Sequence, residues 1–323
     1  MTGAGKKNLH RQLRAPFERG AVHFVMALIP RLPRRGVLCL AAIGGRLGYW
    51  FDSRSRRIGL ANLDVAFGEG KTAKEKNQIL KTSFVMMVRT LLDTFWFAHK
   101  PNERLDKYVE LDEGSQVFFE DKAHICITAH FGNWEIIGQM SGHRGRPLSS
   151  IATPVKNKIV NKYFIRAREA TGQQIIPRVG ALRKLLSILR KNGKTAFLAD
   201  QNTKETDGGI WIDFFGLPAL VTAAPALLSG RTGTEILMGF CTPLPGGRYR
   251  IYVAKTFDPP QATDKETVHK LTEEISRITE EEIRNHPQYW LWMYKRWKTK
   301  KPGRETAAYP WYCDPIKVES PTE

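Results

Sequence analysis

The chain has 323 residues, 42% hydrophobic and 25% charged, which excludes a mini-domain and global disorder and suits one large α/β domain with extensions. Lys and Arg number 50 against 32 Asp and Glu, so a net charge of +18 points to an anionic partner: nucleic acid, an anionic membrane surface or an acidic protein. Cys39, Cys126, Cys241 and Cys313 are scattered without a CxxC pair, which argues against a disulfide framework and a structural zinc site and fits a reducing compartment.

Residues 1–15 read as a disordered basic tail, and 16–100 as a helical region associated with a membrane. Residues 1–57 carry twelve Lys/Arg and two acids, so twelve minus two places +10 of the +18 in this segment. The basic residues flank two apolar stretches, 20–30 and 36–51, separated by Pro30 and Pro33. Neither reaches the roughly 18 unbroken apolar residues of a spanning helix. Two helices lying in one leaflet, with arginines on the headgroups, are expected; two ordinary amphipathic core helices are the alternative. No small-residue cleavage site follows a clean apolar segment, so no signal peptide is expected.

Thr72 is placed to cap a helix over about 73–98, with Ile79, Leu80, Phe84, Val85, Val88, Leu91, Leu92 and Phe95 as its apolar positions. From about 105 onward strands and helices alternate. Strands are predicted at 124–129, 148–153, 195–199, 210–215, 235–241 and 249–254. Helices are predicted at 157–171, 181–191, 221–232 and 264–285. This alternation predicts an α/β sheet. The run 287–298 (PQYWLWMYKRWK) mixes Trp and Tyr with Lys and Arg, which suits a membrane–water interface or single-stranded nucleic acid. Residues 101–300 form the expected catalytic domain, and 301–323 a flexible tail.

The chemistry concentrates at Ala129-His130-Phe131-Gly132-Asn133-Trp134-Glu135, directly after the strand at 124–129. A histidine at a strand's carboxyl end, a glycine turn and a helix start form the place where α/β folds build active sites. Imidazole suits general-base work near neutral pH, and Glu135 can hold the ring in one tautomer. The bare spacing carries no information: His269–Glu274 repeats it inside a charged helix where the geometry is wrong. The strand context carries the reading. No G-x-S-x-G, H-E-x-x-H or dinucleotide fingerprint competes, so no cofactor and no metal are expected. Without a protein nucleophile, a His–Glu pair is naturally suited to deprotonating a substrate hydroxyl or amine for direct attack on a bound ester.

The segment 127–137 (ITAHFGNWEII) resembles the His-x4-Glu block of the lipid A biosynthesis acyltransferases, the lauroyl and myristoyl transferases related to glycerolipid acyltransferases. Further blocks follow in the same order: Arg166-Ala167-Arg168 with Gly172, Leu198-Ala199-Asp200-Gln201, 209–219 (GIWIDFFGLPA) and 287–298, with 62–67 (NLDVAF) upstream. The resemblance covers roughly residues 20–300. It implies a glycerolipid-acyltransferase-like fold, a central mixed β-sheet flanked by helices, with membrane-associated N-terminal helices. It implies acyl transfer from acyl carrier protein, or from acyl-CoA, to the hydroxyl of a glycolipid acceptor, at the cytoplasmic face of a bacterial inner membrane, without nucleic acid. His130 and Glu135 would then be catalytic, and Asn133, Arg166, Arg168, Asp200 and Gln201 would bind substrate.

The oxyanion of the tetrahedral intermediate needs donors, from backbone N–H groups at the helix start or from Arg166 and Arg168. The two arginines could equally hold acceptor phosphates. Asn202 and Lys158 depart from the family pattern, which has a second acid and a proline there. Two other readings stay open: an acyltransferase for another glycolipid or lysophospholipid using acyl-CoA, and a basic membrane- or nucleic-acid-binding protein without catalysis. Acyl length and oligomeric state are not written in the sequence.

Overall fold

The computed structural model describes residues 20, 22–155, 157–177, 180–304 and 308–313. The basic tail expected over 1–15 and all of the segment after 313 lie outside the described residues. Helix α1 (Arg34–Phe51) is followed by α2 (Ser53–Phe67), α3 (Ala73–Phe97) and α4 (Pro101–Tyr108). The α/β part then runs β1 (Val109–Leu111), β2 (His124–Thr128), α5 (Trp134–His143), β3 (Leu148–Ile151), α6 (Lys158–Glu169), β4 (Gln174–Ile176), α7 (Ala181–Arg190) and β5 (Lys194–Leu198). A hairpin of β6 (Gly209–Phe214) and β7 (Leu217–Thr222) precedes α8 (Ala224–Thr232), β8 (Ile236–Pro243), β9 (Tyr249–Phe257) and α9 (Lys265–Asn285).

Seven strands form one sheet in the order β1-β9-β8-β2-β5-β3-β4. All neighbours are parallel except β8 and β9, which pair antiparallel, so the sheet is mixed. Alternate residues of the central strand β2 feed two cores, as the two-residue period of a strand dictates. Ile125 and Ile127 join a cluster with Phe214, Phe240, Trp290, Trp292 and Trp297. Cys126 joins Phe95, Trp96, Ile136, Ile137 and Met140 on the opposite face. A strand buried on both faces reads as a continuous apolar run, and Ile125-Cys126-Ile127 is that run here.

The caps follow the expected chemistry. Thr72 and Glu75 form a capping box at the start of α3, Asn157 caps α6, and Asp264 caps α9.

Three expectations are corrected. The helix expected from 221 begins only at Ala224, because 217–222 is a strand. Phe215 (φ 54°) and Gly216 (φ 75°) both adopt positive φ, as a type I′ turn requires, and fold β7 back onto β6 in register Phe214↔Leu217. The aromatic run 287–298 is not a surface for a membrane or a nucleic acid. Trp290, Trp292, Arg296 and Trp297 are all at most 1% exposed, and the three indole N–H groups are satisfied inside the protein. Tyr309 and Cys313, in the segment expected to be a loose tail, also pack into the first core.

Among the described residues no helix is long and apolar enough to cross a membrane. Helix α1 lies against α3, and its seam is built from glycine. A Cβ on Gly45 would sit 2.4 Å from the Val85 Cα, so only glycine allows the two backbones to approach this closely. Gly44 and Gly48 line the same contact. The opposite side of α1 exposes Leu40, Ile43, Leu47, Trp50 and Phe51 within an arc of about 100°. Gly45→Ala is therefore expected to lower stability by about 1–3 kcal/mol through overpacking, read as a lower urea midpoint with an unchanged m-value.

Candidate active site

The site forms where β2 and β5 end side by side. Their parallel register pairs Thr128 with Leu198, and the Ala199 N–H donates to the Thr128 carbonyl at 3.1 Å. Two residues beyond each pairing stand His130 and Asp200. The chain then turns sharply. Gly132 has φ 57°, and a Cβ there would meet the Cys241 carbonyl oxygen at 1.9 Å, so this turn requires glycine. Backbone bonds clamp it on several sides: Gly132 N–H to the Tyr289 carbonyl (3.0 Å), Asn133 N–H to the Cys241 carbonyl (2.8 Å), and Leu291 N–H to the His130 carbonyl (3.0 Å). The Thr90 hydroxyl of α3 donates to the Gly132 carbonyl at 3.1 Å.

Asp200 is buried, with three donors on its carboxylate. The His130 ring meets Oδ1 through Nδ1 at 2.8 Å. The His130 backbone N–H (3.0 Å) and the Trp290 indole N–H (2.8 Å) both donate to Oδ2. Burial works to raise the Asp200 carboxyl, but the charge and hydrogen bonds of His130 and the Trp290 bond outweigh it and hold it below the usual carboxylate range. The group therefore stays ionised at neutral pH. Its contribution to stability is present above the ordinary carboxylate range and is lost as pH falls through its lowered value. A carboxylate against Nδ1 fixes the proton on that nitrogen and leaves the Nε2 lone pair as the base. The Gln201 side-chain amide lies 3.2 Å from Nε2.

This arrangement replaces the expected one, in which Glu135 orients His130. Glu135 sits in the first turn of α5, and its carboxylate is taken by the Arg168 guanidinium: Nε donates to Oε2 at 2.9 Å and Nη2 to Oε1 at 2.6 Å. Burial pulls the Arg168 guanidinium down, yet its bonds and charge attraction to Glu135 leave it raised. The Trp134 indole N–H also donates to Glu135 Oε1 (3.2 Å), while the Trp134 ring stands edge-on to the His130 ring at 4.9 Å. Glu135 thus meets His130 only through Trp134. The reason is geometric: the positive-φ step at Gly132 lies between the two residues, and β5 brings a closer carboxylate.

Asp200 and Gln201 are brought to His130. Asn133 is not open to a substrate: it is fully buried, and its amide donates to Asp93 Oδ2 at 3.3 Å. Arg166 and Arg168 share α6 but differ: Arg166 is exposed, and Arg168 is half-buried on Glu135. The backbone N–H groups of 130–133, in the turn before the helix, are all spent on Asp200, Ala129, Tyr289 and Cys241. Trp290 belongs to the site without having been expected there, although its W-x-W setting is visible in the sequence. Thr90 and Asp93, on a helix 40 residues earlier, carry no local signal. Among the described residues no group of three His, Cys, Asp or Glu side chains is arranged to hold a metal ion.

Arg168→Met tests the Glu135 pair. It leaves a carboxylate of 8% side-chain exposure without its fork, and because Arg168 itself is 22% exposed the loss is set at about 2 kcal/mol rather than the larger cost of a fully buried pair. Urea denaturation at pH 7 measures it, and Glu135→Gln in the same background is expected to recover part of the loss.

The family model described as bacterial lipid A biosynthesis acyltransferase matches residues 7–299. A lipid A biosynthesis palmitoleoyltransferase from Escherichia coli (strain K12) is 23% identical over 282 residues, covering 84% of this chain and 88% of the relative. A phosphatidylinositol mannoside acyltransferase from Mycobacterium tuberculosis is 25% identical over 177 residues, 54% of each chain. The crystal structure of the 1-acyl-sn-glycerophosphate acyltransferase PlsC from Thermotoga maritima aligns with a TM-score of 0.35 at 18% identity, covering 72% of this chain and 97% of that one. The match over nearly the whole length places the chain in the bacterial lipid A biosynthesis acyltransferase family, a family of enzymes.

Proposed function

We propose that the protein transfers a fatty acyl chain from the thioester of acyl carrier protein to a hydroxyl of a lipid A precursor, at a membrane surface, with His130 as general base. The observation that carries the reading is the His130–Asp200 pair at the carboxyl ends of β2 and β5, in a chain of this family. The acceptor hydroxyl takes the place of the Gln201 amide on Nε2. His130 accepts its proton as the oxygen attacks the thioester carbonyl, and Asp200 stabilises the imidazolium that forms. Collapse of the tetrahedral intermediate expels the thiolate, which takes the proton back from His130. No acyl-enzyme is needed. The displaced Gln201 amide is the donor assigned to the oxyanion. Exposed Arg166 is the cation assigned to an acceptor phosphate.

Charge and exposure support the setting. The apolar face of α1 is bordered on the same helix by exposed Arg35 and Arg46, and exposed Arg54 and Arg57 follow on α2, the pattern of a helix lying on an anionic leaflet. An excess of +18 also steers an acidic carrier protein toward the enzyme. A second reading has another glycolipid as acceptor and acyl-CoA as donor; the similarity to a phosphatidylinositol mannoside acyltransferase favours the other acceptor.

A radiolabelled assay decides between them. C12, C14 and C16 acyl carrier protein donors are offered with a Kdo-bearing tetra-acylated lipid A precursor, and acyl-CoA and other glycolipids in parallel. Product from the first set with His130→Ala down by about 10²–10⁴-fold supports the reading. Product only from the second set moves the acceptor elsewhere. In the same assay Asp200→Asn is expected to lower kcat more than Glu135→Gln; the opposite order would return Glu135 to the orienting role.

The membrane contact is tested by flotation with phosphatidylglycerol vesicles. Leu47→Glu with Trp50→Glu is expected to weaken vesicle binding at least about tenfold, since each change removes a side chain whose burial contributes about 1.5–3 kcal/mol. Turnover on detergent-dispersed substrate is expected to stay unchanged.

A further inference from the structure

Asn133 occupies the N-cap position of α5, yet its side chain makes no capping bond. An asparagine there ordinarily accepts from the backbone N–H two or three residues on, a bond that typically stabilises a helix. Here the amide turns away from its own helix and donates to Asp93 Oδ2, while its Oδ1 is buried without a partner. The turn that carries His130 therefore gives up a cap and leaves an acceptor unsatisfied in order to reach Asp93.

Asp93 is fully buried on α3 and is built to stay fixed. The Arg34 guanidinium engages both its oxygens. Arg89, one turn earlier on α3, lies 3.7 Å from Oδ2, and the Tyr249 hydroxyl donates to Oδ2 at 2.5 Å. Arg34 is locked in turn: it donates twice to the Gly247 carbonyl and lies over the Trp96 ring at 4.8 Å. Thr90 on the same helix holds the Gly132 carbonyl. Helix α3 thus grips two consecutive residues of the catalytic turn, Gly132 through its carbonyl and Asn133 through its side-chain amide.

We propose that Asp93 is a positioning residue for acyl transfer, holding the catalytic turn through the Asn133 amide, with Arg34 at the start of α1 fixing its carboxylate. The inference rests on His130 being the base. It gives a functional role to a charge cluster outside the reacting groups, and it ties the helix that bears the exposed apolar face to the loop that bears the base.

Asp93→Asn would strand two arginines in the interior and is expected to impair folding. The test therefore uses the two neutral donors on the same oxygen, as a double-mutant cycle in the full-length protein. Asn133→Ala is expected to lower kcat about 10–100-fold with KM within about twofold, the signature of a displaced base. Tyr249→Phe is expected to lower kcat several-fold alone and not at all in the Asn133→Ala background, because the path from Asp93 to the turn is then already cut. Losses that multiply, or an Asn133→Ala enzyme with wild-type kcat, overturn the proposal. Should Asn133→Ala fail to fold, Asn133→Ser carries the cycle.

A second readout needs neither donor nor acceptor. The His130 Nδ1–H proton, hydrogen-bonded to Asp200, is followed by NMR and assigned by its loss in His130→Gln. It is expected to move upfield in Asn133→Ala as the turn shifts. An unchanged proton beside a lowered melting temperature would mean that Asn133 is only structural. If the wild type shows this proton but no turnover, the acceptor reading fails and the positioning claim is still decided by the spectrum.

Discussion

Asp200 is where three distant parts of the chain meet, and the site depends on that meeting. It arrives on β5, His130 arrives on β2, and the Trp290 indole arrives from beyond α9. A buried carboxylate is costly unless its lone pairs are satisfied. Three donors satisfy it here, two of them from the residue it serves. The same bonds that make the charge tolerable fix the ring, its tautomer and the backbone behind it. The electrostatic need of the carboxylate and the geometry of the histidine are one constraint in this site.

The sheet supplies the precision. Parallel pairing of β2 with β5 sets where each strand ends, and His130 and Asp200 follow their strand ends at the same distance. A slip of one residue would turn both side chains to the other face. Burial of β2 on both sides makes such a slip expensive, since Ile125, Cys126 and Ile127 all lose their contacts. The tight turn after His130 then needs glycine at 132, and the clamps from Thr90, Tyr289 and Cys241 hold it from three directions.

Much of this is legible in the sequence where the signal is local. Apolar runs mark β2 and β5, caps mark α3 and α9, and a histidine between a strand and a glycine turn marks the reacting end. Pairings are not legible. Whether His130 meets Glu135 or Asp200 depends on which strand lies beside β2, and four intervening residues say nothing about a strand 70 residues away. The aromatic run at 287–298 misleads for a related reason. Trp beside Lys looks the same at a membrane interface and in a core; only the sheet behind it, with Phe214 and Phe240 as partners, shows which applies. The turn at Phe215-Gly216 escapes a reading of the sequence because a bulky residue at positive φ leaves no mark in composition.

The contribution of the segment 287–297 has a consequence in time. A ribosome delivers β2, its histidine and β5 long before the tryptophan that completes the Asp200 shell. Until Trp290 and Leu291 arrive, the carboxylate lacks one of its three donors and the His130 carbonyl lacks its partner. Throughout that interval a growing chain carries His130 and Asp200 in an unfinished pairing. The pairing is thus completed by the partner made last, not by the two strands that bear it.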